Sequence, residues 1–536
     1  MTLSLTFHGA AGTVTGSCFR IQTGDGDLLI DCGLFQGTKT IKELNYRPFP
    51  FKPSAVKAVL LTHAHIDHSG LLPKLVRQGF KGRIHATAGT ADLLAYMLPD
   101  SGYIQETEVE RLNRRNRQRG RPAVEPIYTQ ADAQAAIRHL HAVDYGEWVK
   151  VLPGIRARFW QAGHILGSAS VELEVTRGGT AETILFSGDL GPGGKSFHSD
   201  AEGPARPDWM VLETTYGSRE RVEVGEAERQ ALLRDEVRAA LAAGGNLLIP
   251  AFAVERTQEL LYDLHRLFDR GEIPTVDVFL DSPLADAVTG VFRRHLADLG
   301  TGALGTHGDP FARHNLHRVR SAAESQKLNA IRGGAIIMAA SGMCDAGRIR
   351  HHLKNHLWRQ DSTILLVGYQ APGTLGHLLQ QGAANVRIHG EEIAVRARIR
   401  SLDVYSGHAD RSSLLAWVAA RQGVGRGLFL GHGEEEARAG LRDALLRRGW
   451  DPALIRLPDL DEVADLTAAA PRKAPDGPPR LVPEAVAARR DWHNRYAAFL
   501  LDLHRALDAA PDDAAREMLL SGLGDRLPQA ERQRAE

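Results

Sequence analysis

The sequence predicts an α/β protein in which one α/β domain interrupts another. Four strand-like apolar runs each end in a histidine or carboxylate beside a glycine turn, which is how α/β enzymes place functional groups along one sheet edge. The first histidine or carboxylate residues after these four runs are His63, His164, Asp189 and Glu213. Between about 218 and 400 helices alternate with buried strands, which predicts a second domain with a parallel sheet. Because the polar pattern resumes at His408 and His432, we expect this second domain to be an insertion.

Length and composition set limits on this organisation. A chain of 536 residues is too long for one core, and its 43% apolar and 24% charged residues are typical of a soluble protein. Because 65 basic residues balance 65 acidic residues, nucleic-acid binding would have to use local basic patches. Cys18, Cys32 and Cys344 lack a C-x-x-C spacing and are expected to be reduced thiols. No signal peptide or apolar membrane span is recognisable, so we expect a cytoplasmic protein without a membrane partner.

The domain limits follow from the changes in the pattern of predicted helices and strands. We place the first part of the outer domain at 1–217, the inserted domain at 218–400 and the second part of the outer domain at 401–467. Residues 468–483 are rich in Ala and Pro, which indicates a linker. Residues 484–536 are predicted to form a helical tail, because large apolar side chains repeat there at helical spacing. These side chains are Trp492, Tyr496, Phe499, Leu500, Leu503 and Leu507.

The segment His63-Ala64-His65-Ile66-Asp67-His68 indicates a metal site. It follows the apolar run 58–61, so His63 and His65 can face one metal, while Asp67 and His68 can face a second at the start of a helix. Imidazole and carboxylate together suit Zn²⁺ best, and Mn²⁺ or Fe²⁺ also fit. A polar loop without a metal is the alternative, but it would leave several desolvated ligands without a use.

Asp31 ends another strand-like run and is followed by a glycine turn. A carboxylate in this position can hydrogen-bond to a ligand histidine and orient it. Capping of the turn is the alternative, and this residue alone does not decide between them.

Two basic segments are candidates for phosphate binding. The first contains six arginines, which are Arg111, Arg114, Arg115, Arg117, Arg119 and Arg121. A solvated helix face is the more common role of such a run. The second follows a glycine-rich turn at a predicted helix start and contains Arg348, His351, His352 and Lys354. Its side chains could hold a nucleic-acid backbone, or they could be the polar face of an ordinary helix.

The order of His63, His65, Asp67, His68, His164, Asp189 and His432 resembles that of the metallo-β-lactamase superfamily. Glu213, the segment 406–410 (Ser-Gly-His-Ala-Asp) and the segment 431–434 (Gly-His-Gly-Glu) narrow the resemblance to the β-CASP nucleases. This RNA-processing group includes the nuclease subunit of the cleavage and polyadenylation machinery, to which the sequence is most similar, and ribonuclease J. The resemblance covers about residues 1–460 and implies an αββα sandwich with the β-CASP domain inserted as a cap.

The resemblance also implies roles for individual residues. One Zn²⁺ would be held by His63, His65 and His164, a second by Asp67, His68 and His432, and Asp189 would bridge the two. His408, supported by Glu213, resembles the proposed general acid, and we count Asp67 with them as catalytic. A final histidine at His432 is typical of members that cleave RNA rather than DNA.

The predicted function is therefore zinc-dependent hydrolysis of RNA phosphodiester bonds, with single-stranded RNA as the expected substrate. Water attack would leave a 5′-phosphate and a 3′-hydroxyl. The alternatives are a metallo-hydrolase of a small ester, thioester or lactam, and a non-catalytic RNA-binding scaffold. The sequence does not decide between endonuclease and 5′-to-3′ exonuclease action, nor does it identify the natural RNA. A homo-oligomer is also compatible with it.

Overall fold

A computed structural model describes residues 3–24, 26–195, 197–221, 224–296, 309–370, 373–467, 472–473, 480, 499, 502–503 and 506–524. Three main sheets organise these residues. None of the described helices combines the length and apolar character that a bilayer crossing requires.

The N-terminal region forms two sheets. The first contains β1 (Ser4–Phe7), β2 (Phe19–Thr23), β3 (Gly26–Ile30), β4 (Val56–Leu60), β5 (Arg83–Thr87) and β6 (Leu140–Val143). The second contains β7 (Trp148–Leu152), β8 (Ile155–Gln161), β9 (Ala169–Arg177), β10 (Thr180–Phe186) and β11 (Trp209–Glu213). From β3 to β6 the strands run parallel, as do β10 and β11, so their carboxyl ends lie at common edges.

The strands of the third sheet come next in the chain. They are β12 (Leu247–Pro250), β13 (Val278–Leu280), β14 (Leu316–Arg318), β15 (Ile336–Ala339) and β16 (Thr363–Val367). A separate hairpin follows, formed by β17 (Asn385–Ile388) and β18 (Glu391–Ala394), and then β19 (Arg398–Leu402) completes the third sheet. All of its pairings are parallel, in the order β14-β13-β15-β12-β16-β19.

The chain then returns to the first two sheets. β20 (Gly427–Gly431) pairs in parallel with β11, and β21 (Ile455–Arg456) pairs with β20. β22 (Val463–Asp465) pairs with β1, and β23 (Arg472–Lys473) pairs with β22. The third sheet is therefore contributed by a segment inserted between two neighbouring strands of the second sheet. The predicted limit at 400 lies inside β19, and the other predicted domain limits stay predictions.

Helices cover the outer faces of the sheets. They are α1 (Lys39–Lys42), α2 (Ile66–Ser69), α3 (Leu72–Arg77), α4 (Ala88–Gln118), α5 (Gln130–Ile137), α6 (Glu226–Ala242), α7 (Arg256–Asp269), α8 (Pro283–Arg294), α9 (Ala322–Lys327), α10 (Ile349–His356), α11 (Leu375–Gln380), α12 (Arg411–Ala420) and α13 (Glu435–Arg447). Four short 3₁₀ helices occupy Glu43–Asn45, Pro53–Ala55, Leu328–Ala330 and Pro452–Leu454.

The core shows why the outer domain has four layers. Alternate side chains of a strand point to opposite faces, so Ile184 and Phe186 of β10 join the cluster between the two sheets while Leu185 joins the opposite one. On that opposite face the second sheet packs against Leu414 of α12 and Leu441 of α13. The outer face of the first sheet packs in the same way against α3 and α4. This arrangement confirms the predicted αββα sandwich with an inserted α/β domain.

The C-terminal residues 481–536 form a separate unit together with 38–40. Within it the structure describes helix α14 (Asp513–Gly524). Most of the predicted linker at 468–483 lies outside the described residues. So do Trp492, Tyr496 and Leu500 of the predicted tail helix.

Candidate active site and metal centre

Loops from both sheets of the sandwich bring their polar side chains to one place. The segment from His63 to His68 follows the carboxyl end of β4, and His164 lies between β8 and β9. Asp189, Glu213 and His432 stand at the carboxyl ends of β10, β11 and β20, which are neighbouring parallel strands. His408 precedes α12. Side chains from distant parts of the sequence thus meet at one edge of the two-sheet sandwich, beyond the carboxyl ends of parallel strands, as is usual in α/β enzymes.

The first group of side chains consists of three imidazoles and a carboxylate. His65 Nδ1 lies 3.2 Å from His63 Nε2 and 3.1 Å from His164 Nε2. Asp189 Oδ2 lies 3.5 Å from His63 Nε2 and 3.7 Å from His164 Nε2. In a tetrahedral site with metal–ligand distances of about 2.0–2.1 Å, the donor atoms are about 3.3 Å apart. The four atoms therefore fit the coordination shell of one metal ion.

The second group consists of Asp67, His68 and His432, close to the other oxygen of Asp189. His68 Nε2 lies 3.0 Å from His432 Nε2, and Asp67 Oδ2 lies 3.8 Å from the same His432 atom. Asp189 Oδ1 lies 3.3 Å from His68 Nε2 and 3.2 Å from His432 Nδ1. Asp189 therefore presents one oxygen to each group, so it would be able to bridge two metal ions.

The environment of Asp189 supports binding of cations. The residue is 2% exposed, and its Oδ1 atom accepts no hydrogen bond from the described residues even though two ring nitrogens lie within 3.3 Å. A buried carboxylate oxygen without a donor is costly. The close-set imidazole nitrogens of His63, His65 and His164 face one another in the same way. A positive ion in each group would satisfy both the carboxylate and these nitrogens.

Asp31 holds His68 in one orientation. Its Oδ2 lies 2.7 Å from His68 Nδ1 and accepts a hydrogen bond from Ser17 Oγ at 2.9 Å, while its Oδ1 accepts one from the Thr62 amide at 2.9 Å. The bond to Nδ1 leaves His68 Nε2 facing the second group. Asp31 is 1% exposed and has a φ of 62°, a backbone conformation that Asp and Asn tolerate better than most residues.

His164 is oriented by the backbone rather than by a carboxylate. Its Nδ1 donates to the carbonyl oxygen of Gly407 at 2.6 Å, so its Nε2 faces the first group. Lys195 Nζ donates to the His164 carbonyl oxygen at 3.0 Å. Because Gly407 directly precedes His408, this bond ties the loop of a candidate ligand to the loop of the candidate general acid.

His408 and Glu213 form a pair beside the two groups. His408 Nδ1 lies 3.5 Å from Glu213 Oε1 and 3.9 Å from Asp189 Oδ2. Glu213 is 2% exposed and accepts hydrogen bonds from the amides of Leu190 and Thr215, which orient its carboxylate. Burial disfavours the charged imidazolium, but the nearby Glu213 and Asp189 carboxylates outweigh it and raise the pKa of His408.

Comparison with known proteins agrees with this geometry. The family model of the metallo-beta-lactamase superfamily matches residues 11–240, the Beta-Casp domain matches 257–379, and the Zn-dependent metallo-hydrolase RNA specificity domain matches 392–454. A ribonuclease of Thermus thermophilus is 37% identical over 452 residues, which cover 84% of this chain and 97% of that protein. The chain belongs to the β-CASP family of the metallo-β-lactamase superfamily. The predicted family and the prediction of a metal-dependent hydrolase are thereby confirmed.

Other relatives of this β-CASP protein are more distant. A transcription termination factor of Methanocaldococcus jannaschii is 30% identical over 460 residues, covering 83% of this chain and 69% of that protein. A crystal structure of a protein of unknown function from Enterococcus faecalis matches with a TM-score of 0.51 and 14% identity. It covers 87% of this chain and all of that chain, and it supports the fold alone.

The residues predicted to bind substrate in the β-CASP domain have internal partners. Arg348 Nη1 lies 2.6 Å from Asp281 Oδ1, and His352 Nε2 lies 2.6 Å from Asp281 Oδ2. His352 is only 1% exposed and its ring faces Asp281, and its predicted contact with a nucleic-acid backbone stays a prediction. Lys354 is paired with Glu391 at 2.6 Å, and the His351 ring lies 4.5 Å from that of His389. The structure brings none of these four side chains into the two groups around Asp189.

Several residues of the β-CASP site were missed by sequence reasoning. Thr62 Oγ1 contacts both Asp31 and His63 Nδ1, and Thr215 Oγ1 lies 3.2 Å from His432 Nδ1. Gly33 admits no side chain, because a Cβ there would lie 1.6 Å from the Asp67 carbonyl oxygen. Its place two residues after Asp31 is a signal that could have been used, since a glycine at such a point often permits close backbone approach.

Proposed function

We propose that the protein is a zinc-dependent ribonuclease that hydrolyses single-stranded RNA with two Zn²⁺ ions per chain. The observation that carries this proposal is the buried Asp189 carboxylate, which faces one group of ligands with each of its oxygens. The buried, free thiols of Cys18, Cys32 and Cys344 favour a reducing compartment, and we place the protein in the cytoplasm.

The donor set fits zinc. His63, His65 and His164 would hold one ion, Asp67, His68 and His432 the other, and Asp189 both. Five imidazoles with two carboxylates form a nitrogen-rich set that suits Zn²⁺ better than Mg²⁺ or Ca²⁺. A pair of such ions would supply an activated water molecule and neutralise the charge that builds up on the phosphodiester in the transition state.

The remaining chemical task is protonation of the leaving oxygen. Hydrolysis forms a bond from water oxygen to phosphorus and breaks the bond from phosphorus to the 3′-oxygen of the upstream nucleotide. That oxygen leaves poorly as an alkoxide, and general acid catalysis of this kind contributes about 10²–10⁴-fold in rate. We assign the proton to His408, because Glu213 faces its Nδ1 and leaves Nε2 for the substrate. The side chain is also 22% exposed, so substrate can reach it.

RNA is favoured over a small substrate for two reasons. The family model for an RNA specificity domain covers 392–454, which includes His408 and His432. The Thermus thermophilus relative, named a ribonuclease, aligns over 97% of its own length. The products of the proposed reaction are a 5′-phosphate and a 3′-hydroxyl.

The test uses three substrates with the full-length protein: 5′-labelled linear single-stranded RNA, a circular RNA of the same sequence and a chromogenic lactam. We expect zinc-dependent cleavage of linear RNA, loss of activity in chelator and product ends that accept a 3′-adapter without phosphatase treatment. Cleavage of the circle would identify endonuclease action, and its resistance would identify exonuclease action. Hydrolysis of the lactam with intact RNA would overturn the proposal.

A further inference from the structure

The far half of α4 and the segment that returns beside it form an exposed projection. We call residues 107–126 the arginine arm, and none of them is buried. Between 111 and 124 the arm contains six arginines and no acidic residue. An amphipathic helix that packs on a core shows an apolar buried stripe. The arm has none, so core packing does not explain its composition.

Most of this positive charge has no partner among the residues that the structure describes. In the described part of the chain, the arm makes one ion pair, between Arg114 Nη2 and Glu110 Oε1 at 3.7 Å, and both side chains are exposed. The other five arginines pair with no described carboxylate. The acidic residues of this region are Glu106, Glu108, Glu110 and, on the returning segment, Glu125. They flank the stretch from 111 to 124, and the Gln130 amide donates to Glu106. Positive charge is therefore concentrated in residues 111–124, which we call the tip of the arm.

The tip is held in one shape by two asparagines. Asn113 donates from Nδ2 to the Val124 carbonyl oxygen at 2.9 Å and accepts from the Val124 amide at 2.8 Å. Asn116 Nδ2 donates to the Pro122 carbonyl oxygen at 3.0 Å, and the Arg121 amide donates to the Asn116 carbonyl oxygen. These bonds fix the returning backbone, with Arg121, beside the helix. Guanidinium groups on a fixed backbone lose less entropy when they bind phosphate.

The other end of α4 lies beside the candidate active site. Thr87 and Thr90, at the helix start, both donate their hydroxyls to the Gly167 carbonyl oxygen, at 2.5 and 2.8 Å. Gly167 is in the same loop as His164, a candidate metal ligand. At 1.5 Å per residue, the helix rises about 40 Å from Thr90 to Arg117. One continuous helix thus connects the loop of a metal ligand with the arginine-rich tip.

The helix also exposes aromatic rings on the way to the tip. Tyr96 and Tyr103 are 40% and 57% exposed. Their spacing from each other and from Arg114 places all three on one face of the helix. Exposed aromatic rings beside arginines are the groups with which proteins bind single-stranded nucleic acid, by stacking bases and by pairing phosphates.

We propose that the arginine arm binds the phosphate backbone of the RNA substrate at a distance from the bond that is cleaved. This inference rests on the proposed ribonuclease function. At about 3.4 Å per stacked nucleotide, 40 Å corresponds to about 12 nucleotides. A single strand extends further per nucleotide when its bases unstack, so only RNA much shorter than this is unable to reach both the tip and the metal centre. The arm therefore selects for longer RNA by adding affinity and leaves the chemistry unchanged.

The test compares two variants, each of which removes three positive charges. The arm variant carries Arg115→Gln, Arg117→Gln and Arg121→Gln. The control carries Lys57→Gln, Lys81→Gln and Arg83→Gln, at exposed positions near the amino ends of β4 and β5, away from the ligand loops. Binding of fluorescein-labelled 5- and 40-nucleotide single-stranded RNA is measured by anisotropy in EDTA over a range of salt concentrations. KM and kcat on both RNAs are then measured with zinc.

For the arm variant we expect about ten-fold weaker binding of the 40-mer at low salt. The slope of log affinity against log salt should be smaller by about 2, since single strands contribute about 0.7 per phosphate contact. KM for the 40-mer should rise with kcat unchanged. Affinity and KM for the 5-mer should stay as in the wild type, and the control variant should keep wild-type affinity for both RNAs. Equal loss in the control, or wild-type affinity of the arm variant for the 40-mer, overturns the inference. If the wild-type protein binds the 40-mer through the arm but does not cleave it in zinc, only the ribonuclease proposal is overturned.

Discussion

Replacing Asp31 by Asn should release metal from one half of the site while the fold is kept. Asp31 Oδ2 lies 2.7 Å from His68 Nδ1 and therefore accepts a hydrogen bond from the Nδ1–H group. In Asp31→Asn the amide nitrogen takes this position, and two donors would face each other. His68 can relieve the clash by moving its proton to Nε2, but Nε2 is the atom that lies 3.0 Å from His432 Nε2 in the second group. A protonated Nε2 cannot bind a metal.

The magnitude follows from the remaining contacts of Asp31. The Asn carbonyl oxygen still accepts from the Thr62 amide, and the Ser17 and Thr62 hydroxyls can rotate to accept from the new amide. The fold should therefore lose no more than about 1–2 kcal/mol. Changes to residues that orient metal ligands usually cost about 10–100-fold in metal affinity. Asp31→Ala would instead strand the Thr62 amide and His68 Nδ1, at about 1–3 kcal/mol each.

The assay is metal content by mass spectrometry after dialysis against buffers of defined free Zn²⁺, with thermal unfolding measured in parallel. At a free Zn²⁺ concentration at which the wild type holds two ions, Asp31→Asn should hold about one. The matched control is Ser17→Ala, which removes another donor to Asp31 without touching His68 and should keep both ions. Two ions bound to Asp31→Asn with unchanged affinity would refute the argument, as would unfolding as severe as that of Asp31→Ala.

Three further predictions concern neighbouring residues. His408→Ala should keep both metal ions and lose about 10²–10⁴-fold in kcat on RNA; loss of zinc from this variant would make His408 a ligand instead. Asp189→Ala should lose both ions and activity together, measured by metal content and cleavage, and full occupancy would contradict its bridging role. Tyr405→Phe removes the hydrogen bond to the buried Asp263 carboxylate at 2.8 Å. It should cost about 2 kcal/mol and lower the apparent Tm by several degrees without changing metal content, whereas an unchanged Tm would show that the bond is not stabilising.

The candidate ligands could be predicted because their chemistry is local in sequence. The stretch from His63 to His68 has no structural use for so many desolvated ligands, and single residues such as Asp189 were marked by a strand before them and a glycine turn after them. A short motif does not show which residues from distant parts of the chain come into contact. His68 and His432 lie 364 positions apart in the sequence, and their Nε2 atoms come within 3.0 Å because two sheets pack against each other. Their convergence was expected only through the family resemblance.

The sequence could not show that one basic motif has a buried acidic partner. Arg348 and His352 form a basic helix start in the sequence, but Asp281 at the end of β13 neutralises both. Asp281 is fully buried, and nothing near it in the sequence shows that a helix 71 positions later packs over it. The opposite case is Asp31, for which capping and orientation of a histidine were both open. It has four neighbouring donors, one from Ser17 and three from the segment that contains Thr62 and His68, and these favour orientation of His68.

The place of the insertion explains how Glu213 and His408, 195 positions apart, can act as a pair. Glu213 ends the strand that leads into the inserted domain, and His408 follows the strand that leaves it. These two connections are hydrogen-bonded to each other. Tyr216 and Asp410 form a parallel β-bridge, and the Asp410 carboxylate accepts a hydrogen bond from the Arg221 amide at 3.0 Å. The distance between Glu213 and His408 is thus set at the base of the insertion, within the sandwich. In the proposed mechanism, movements of the inserted domain could therefore admit RNA without separating His408, the proposed proton donor, from Glu213.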